Sequence, residues 1–200
     1  MIFMIEKKLS KDIEFIVELD KMKSILRQTR LIGKSQREND AEHSWHISVM
    51  AMLLSEYANK EVDTCKVIKM LLIHDLVEIY AGDTFCYDVE GNKSKKDREL
   101  KAADKVFGIL EEDKGREMRS LWEEFEEMET DEALFAASMD RLQPLFNNYY
   151  SNGGTWRKFG VSKRDIYERI APLEKSSDTL WEFAQNMIED AFEKGYIEKE

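Results

Sequence analysis

The sequence is poor in the residues that make tight turns, with 9 glycines and 2 prolines among 200 residues. An all-β domain needs many such turns, so this scarcity favours long helices. Hydrophobic residues make up 42% of the chain, which is enough for a sizeable core and argues against a disordered segment. A chain of this length predicts a single domain spanning residues 1–200.

Positive charge is also in deficit, because 30 Lys and Arg residues stand against 41 Asp and Glu residues, for a net charge of −11. Binding to nucleic acid or to an anionic membrane depends on Lys and Arg neutralising phosphate groups. We therefore expect no nucleic-acid partner and no membrane partner. A small phosphorylated ligand stays compatible with this charge, since a local cluster of a few arginines can bind phosphate.

Cysteines and long apolar runs are scarce too. Cys65 and Cys86 match no metal-ligand spacing, so we expect two reduced thiols. No stretch approaches the roughly 20 apolar residues of a membrane span, and the apolar start MIFMI is too short for the core of a signal peptide. These absences predict a cytoplasmic protein.

Apolar residues recur at helical spacing along nearly the whole chain, and no segment shows a convincing strand alternation. Segments 31–40, 83–94 and 151–156 are predicted loops. The third predicted helix, which ends near Gly82, is apolar on most of its circumference, so we expect it at the centre of the fold. The predicted fold class is all-α. Helix starts are predicted from capping residues at Ser10, Asn39 or Asp40, Asp63 or Thr64, Ser94, Thr130 and Ser162.

Histidine and aspartate occur together in apolar segments. His74 directly precedes Asp75 within MLLIHDLVEI, where an ionised carboxylate is costly unless it is paired or bound to a metal. His43 lies in DAEHSWH, and Asp140 lies in ALFAASMDRLQP, four residues before Pro144, where the helix is expected to bend. Two imidazoles and two carboxylates suit one divalent metal ion, such as Mn, Co, Fe, Ni, Zn or Mg. The acidic residues could instead be structural, as partners of caps or arginines.

The ordered series His43, His74-Asp75 and Asp140, within the words RENDAEHSWH, MLLIHDLVEIYAGDT and SMDRLQP, resembles the H…HD…D signature of the HD-domain metal-dependent phosphohydrolases. These sequence segments are similar to those of the branch that includes 5′-deoxynucleotidases, and the similarity extends from about Asp12 to Trp181. The resemblance implies a helical bundle with a central metal held by these four side chains. It also implies hydrolysis of a phosphate monoester, with a nucleoside 5′-monophosphate as substrate, and a homodimer.

Two further acidic residues receive roles from the resemblance. Glu78 matches a family residue that acts on the nucleophilic water, and its spacing of four from His74 places both side chains on one helix face. Asp83 matches a residue near the sugar, and we assign it to catalysis and substrate binding. Both residues favour turnover over simple metal binding.

The family's Arg-Trp pair, which contacts the substrate, has no clear counterpart here, because no Trp follows an Arg in RQTRLIGKSQREN. The arginine role is assigned to Arg30, with Arg27 as its rival. Trp45 is expected in the core or behind the metal ligands. His46 is expected to support the ligands without binding the metal.

Other interpretations stay open. One is an HD-type hydrolase of another phosphorylated substrate, a nucleoside triphosphate or an alarmone. Another is a metal-containing, ligand-binding module without turnover. A ferritin-like di-metal oxidase would need Glu-x-x-His motifs, and the sequence contains none.

Overall fold

Helices dominate the computed structural model, which describes residues 2–198 and confirms the all-α class. Short 3-10 helices at Asp20–Ser24, Ser55–Tyr57 and His74–Val77 join some of the longer elements. None of the helices in residues 2–198 is long and apolar enough to cross a membrane. The α-helices are α1 (Ile2–Leu19), α2 (Asp40–Leu54), α3 (Thr64–Ile73), α4 (Glu78–Ala81), α5 (Val89–Lys93), α6 (Lys95–Phe107), α7 (Glu112–Glu127), α8 (Asp131–Tyr149), α9 (Gly154–Phe159), α10 (Lys163–Ser176) and α11 (Asp178–Glu193).

Four predicted helix caps are present. Asn39 and Glu42 form a reciprocal capping box at α2, and Ser162 and Asp165 form one at α10. The side chains of Asp63 and Thr130 cap α3 and α8. Ser94 makes no such hydrogen bond, so the capping box predicted there is wrong.

A small antiparallel sheet replaces part of the predicted first helix and loop. Strand β1 (Leu26–Arg30) pairs with β2 (Arg37–Asn39), with Leu26 opposite Asn39 and Arg30 opposite Arg37. The prediction of a helix to about Arg27 followed by a loop was therefore wrong. The strands are too short to show a clear alternation in the sequence, and β2 leads directly into α2.

The predicted central helix is divided at its most polar point. It runs as α3 to Ile73, tightens into a 3-10 turn over His74–Val77, and continues as α4. Such tight turns within a helical stretch often mark functional positions. Pro144 and Pro172, by contrast, lie inside the continuous helices α8 and α10, so the interruption predicted at Pro172 is wrong.

Two hydrophobic clusters meet at this 3-10 turn. Met70 and Leu71 belong to the larger cluster, which joins α2, α3, α8, α10 and α11. Ile73 and Leu76 belong to the smaller one, which joins α1, α6 and α7. Each fully buried aliphatic side chain contributes about 1.5–3 kcal/mol. His74 therefore lies on a backbone that is anchored from both sides.

Candidate metal centre and cavity

Three segments of the chain bring the four side chains of the signature together. His43 comes from the first turn of α2, His74 and Asp75 from the 3-10 turn, and Asp140 from the middle of α8. Oδ1 of Asp140 lies 3.0 Å from Nε2 of His43 and 3.7 Å from Nε2 of His74. Oδ2 of Asp75 lies 3.1 Å from Nε2 of His74. All four residues are buried, and the potential ligand atoms of His43, His74 and Asp75 lie within 4.8 Å of one another.

The hydrogen bond of His74 leaves one ring nitrogen available to a cation. Its Nδ1 lies 2.8 Å from the carbonyl oxygen of Leu71, which can only accept, so Nδ1 carries the hydrogen. In the neutral ring Nε2 then presents a lone pair to two carboxylates, and it has no hydrogen-bond partner in residues 2–198. Such a buried arrangement needs a positive charge between the imidazole nitrogen and the carboxylate oxygens. The donor set therefore fits a divalent metal.

In the absence of a metal, a proton supplies that charge. Burial by itself lowers the pKa of His74, but the negative charges of Asp75 and Asp140 outweigh burial and raise the pKa to about 10. Burial is also the largest effect on the pKa of Asp140 and would raise it. The hydrogen bond with His43 and the nearby positive charges of Arg169 and His74 hold the pKa of Asp140 well below its usual range.

A buried chain of polar groups orients His43. Its Nδ1 lies 3.2 Å from Oε1 of Gln143, whose Nε2 donates to Oε1 of Glu38 at 2.5 Å. Because the amide nitrogen faces a carboxylate, the amide oxygen must accept from Nδ1–H of His43, which turns the lone pair of Nε2 toward Asp140. Partners of this kind fix the tautomer and orientation of a metal-binding imidazole.

Arg27 lies among several carboxylates. Its Nη1 is 2.7 Å from Oδ2 of Asp75 and 3.5 Å from Oδ1 of Asp40, and its Nη2 is 3.8 Å from Oδ1 of Asp140. Burial lowers the pKa of Arg27, but these charges raise it well above its usual value. The chain's own acidic groups therefore already balance the charge of Arg27.

A second group of carboxylates lies beside the first. Oxygens of Asp40, Glu78 and Asp83 come within 4.8 Å of one another, a spacing that could also hold a cation. Oδ2 of Asp40 and Oε2 of Glu78 are buried without a hydrogen-bond partner in the described part of the chain. Burial, followed by repulsion from Asp75, raises the pKa of Glu78 well above its usual value and that of Asp40 to about 7.

A cavity of about 210 Å³ opens onto these residues. Six of the predicted site residues line it, namely Arg27, His74, Asp75, Glu78, Asp83 and Asp140. The rest of the wall is partly apolar and includes Phe85, Tyr87, Trp156, Ile166 and Ile170. Its cationic side chains are Arg27, Lys95, Arg141 and Arg169.

The structure separates the two candidate arginines. Arg27 lines the cavity, whereas Arg30 is exposed and does not line it. Side chains alternate along a strand, so Arg27 and Thr29 share the inward face of β1 while Arg30 lies on the opposite face.

Trp45 is 66% exposed, which corrects the expectation that it lies in the core or behind the ligands. His46 contacts Gln143 through Nδ1 at 3.2 Å.

Several polar residues of the site were not predicted from the sequence. Glu38 and Asp40 flank Asn39 in a segment that was predicted to be a loop. Gln143 carries one usable signal, because it lies three residues after Asp140 and so on nearly the same helix face. Arg169 reaches Asp140 from α10 and could be recognised only once the fold was known.

A family model described as HD domain matches residues 19–181. The chain belongs to the HD domain family. This confirms the resemblance drawn from the signature, and HD domains of this kind imply a divalent metal.

Several known proteins resemble this chain over much of its length. A crystal structure from Magnetospirillum magnetotacticum MS-1, described as a predicted metal-dependent phosphohydrolase, is 46% identical with a TM-score of 0.92, covering 96% of both chains. The Dictyostelium discoideum protein named 5′-deoxynucleotidase HDDC2 is 30% identical over 148 residues, 70% of this chain and 77% of the relative. The human protein of that name is 29% identical over 138 residues, 62% of this chain and 66% of the relative.

Proposed function

We propose that this chain is a metal-dependent phosphohydrolase that converts deoxyribonucleoside 5′-monophosphates into nucleoside and phosphate, and that residues 1–200 form one domain. The observation that carries the proposal is Nε2 of His74, which has no hydrogen-bond partner within residues 2–198 and faces Asp75 and Asp140 at the wall of the cavity. The relatives named 5′-deoxynucleotidase support the choice of substrate.

His43, His74, Asp75 and Asp140 would hold the metal. A bound divalent ion lowers the pKa of water and polarises a phosphoryl oxygen. Its identity is open among Mn, Co, Fe, Ni, Zn and Mg, because two imidazoles and two carboxylates accept all of them to different degrees.

Glu78 is the proposed general base. Its Oε2 is buried, lacks a hydrogen-bond partner among the residues that the structure describes, and belongs to a side chain on the cavity wall. Burial and the charges of Asp75 and Asp40 raise its pKa, so the carboxylate readily takes a proton. As the oxygen of water bonds to phosphorus, its proton passes to Glu78. The ester P–O bond breaks, and the proton can then be returned to the departing 5′ oxygen.

Asp83 and Arg27 are proposed to act near the substrate in different ways. Asp83 is partly buried on the cavity wall, where its carboxylate can accept a hydrogen bond from a sugar hydroxyl. Arg27 is also on this wall, but its carboxylate contacts make it chiefly a counter-ion for the metal ligands. Arg30, being exposed, is not proposed to bind the substrate.

The test is phosphate release from a panel of nucleotides. The protein is stripped with a chelator, dialysed, resupplied with one metal at a time, and assayed with deoxyribonucleoside and ribonucleoside monophosphates and with triphosphates. We expect the protein to release phosphate from the deoxyribonucleoside monophosphates, and we expect the Asp140→Ala variant to release none. Release from triphosphates alone would favour the alternative HD hydrolase. No release with any metal would favour the binding module.

We further propose a homodimer and a cytoplasmic location. Light scattering on the purified protein distinguishes a dimer from a monomer of 23.5 kDa. A mass of one chain at micromolar concentration would contradict the dimer.

A further inference from the structure

The cations of the cavity differ in how well they are neutralised. Arg27 contacts several carboxylates, and Nζ of Lys95 lies 3.4 Å from Oε1 of Glu99. Within the described part of the chain Arg169 makes one ion pair, from Nη2 to Oδ2 of Asp140 at 3.2 Å. Arg141 has no carboxylate within 4 Å among the described residues, and its Nη1 donates only to the sulfur of Met128, at 3.0 Å.

This position of Arg141 is unfavourable without a ligand. The residue is partly buried on the cavity wall, near the like charge of Arg169. A buried charge is costly unless it is paired, and a thioether is only a weak acceptor. Guanidinium groups bind phosphate oxygens through two parallel hydrogen bonds, so a phosphate would supply the missing partner.

We propose that Arg141 and Arg169 together bind the phosphate group of the substrate. The inference rests on the proposed function. Arg141 and Arg169 would then make the substrate contact that was expected from the sequence at Arg30 or Arg27.

The contacts of Asp140 place this pair beside the metal group. One carboxylate oxygen, Oδ1, faces the imidazoles of His43 and His74, and the other, Oδ2, accepts from Arg169. Arg141 follows Asp140 directly in α8. An anion held between the two arginines therefore lies next to the group that would hold the metal.

The test compares Arg141→Gln and Arg169→Gln with a matched control, Arg164→Gln. Arg164 lies on the same helix as Arg169 but is exposed and pairs with Glu168. Inorganic phosphate, the proposed reaction product, is titrated calorimetrically into each Mn²⁺-loaded protein. KM and kcat are measured with a deoxyribonucleoside monophosphate, and bound metal is measured on the same samples.

We expect Arg141→Gln to weaken phosphate binding by about 10- to 100-fold and to raise KM by a similar factor, because charge-assisted hydrogen bonds are lost. Bound metal should be unchanged, since Arg141 contacts none of the metal-binding side chains. Arg141→Lys should recover part of the affinity, because it restores charge but not the paired geometry. Arg169→Gln should weaken phosphate binding as well.

Phosphate affinity and KM of Arg141→Gln equal to those of the control would overturn the inference. Should that variant fail to fold, Arg141→Lys and Arg169→Gln decide, and unchanged phosphate affinity in both overturns it. Phosphate binding that depends on Arg141 in a protein that hydrolyses no monophosphate would support the anion site while refuting the proposed function.

Discussion

Replacing Gln143 should weaken metal binding although its side chain is not among the proposed ligands. Gln143→Met keeps the approximate volume of a fully buried side chain but removes the acceptor of His43 Nδ1–H and the donor to Glu38. Leaving a buried polar group unpaired costs about 1–3 kcal/mol. Removing such a supporting partner typically lowers metal affinity by about 10- to 100-fold, which corresponds to a similar free energy.

Two measurements check this expectation. Calorimetric titration of Mn²⁺ into the stripped protein gives the affinity, and urea denaturation gives the free energy of unfolding. We expect that free energy to fall by about 2–4 kcal/mol, because both His43 and Glu38 lose a partner. Gln36→Met, at an exposed loop position, is the matched control. A folded Gln143→Met protein that binds Mn²⁺ as tightly as the control would refute the role of Gln143.

Three further outcomes are expected. The Glu78→Gln variant should keep its metal while its kcat falls by about 100-fold or more, whereas the Asp75→Ala variant should lose both metal and activity. Metal analysis and phosphate release are measured on the same samples. Full activity in the Glu78→Gln variant would exclude Glu78 as the base. Arg27→Gln should lower the free energy of unfolding by about 3–5 kcal/mol in urea denaturation, because buried carboxylates lose their cation. Mn²⁺ affinity should rise between pH 6.5 and about 10, since the proton bound by His74 must leave. In the metal-free protein the proton on His74 stabilises the fold fully below pH 6.5, and this contribution to the free energy of unfolding is lost as the pH rises toward 10. A Mn²⁺ affinity and a free energy of unfolding that do not vary with pH would contradict this expectation.

The proximity of His74, Asp75 and Asp140 could be predicted, because these residues break a local pattern. His74, Asp75 and Asp140 are polar residues in apolar segments, where an unpaired charge is costly, and their order along the chain matches a family signature. Local sequence carries that information. The fold class follows equally from helical spacing and from the shortage of turn residues.

The supporting residues could not be predicted, because their partners are distant in sequence. Glu38 and Gln143 form a hydrogen bond across 105 positions, and nothing near Glu38 in the sequence indicates that it faces Gln143. The assignment of Arg30 depended on the missing strand. Without β1 there was no basis for placing Arg27 on one face and Arg30 on the other.

The distribution of charge in the cavity distinguishes an arginine that balances the chain's own carboxylates from one that is available to a substrate. The sequence signature alone does not make this distinction. Arg27 is neutralised by the chain's own carboxylates before any substrate arrives, so its removal should affect folding and metal affinity together. Arg141 has no such partner in the described chain, so its removal should leave stability nearly unchanged and act on KM. If both substitutions instead raised KM equally while leaving metal affinity intact, Arg27 would be a phosphate ligand as well, and its carboxylate contacts would have to rearrange when the substrate binds.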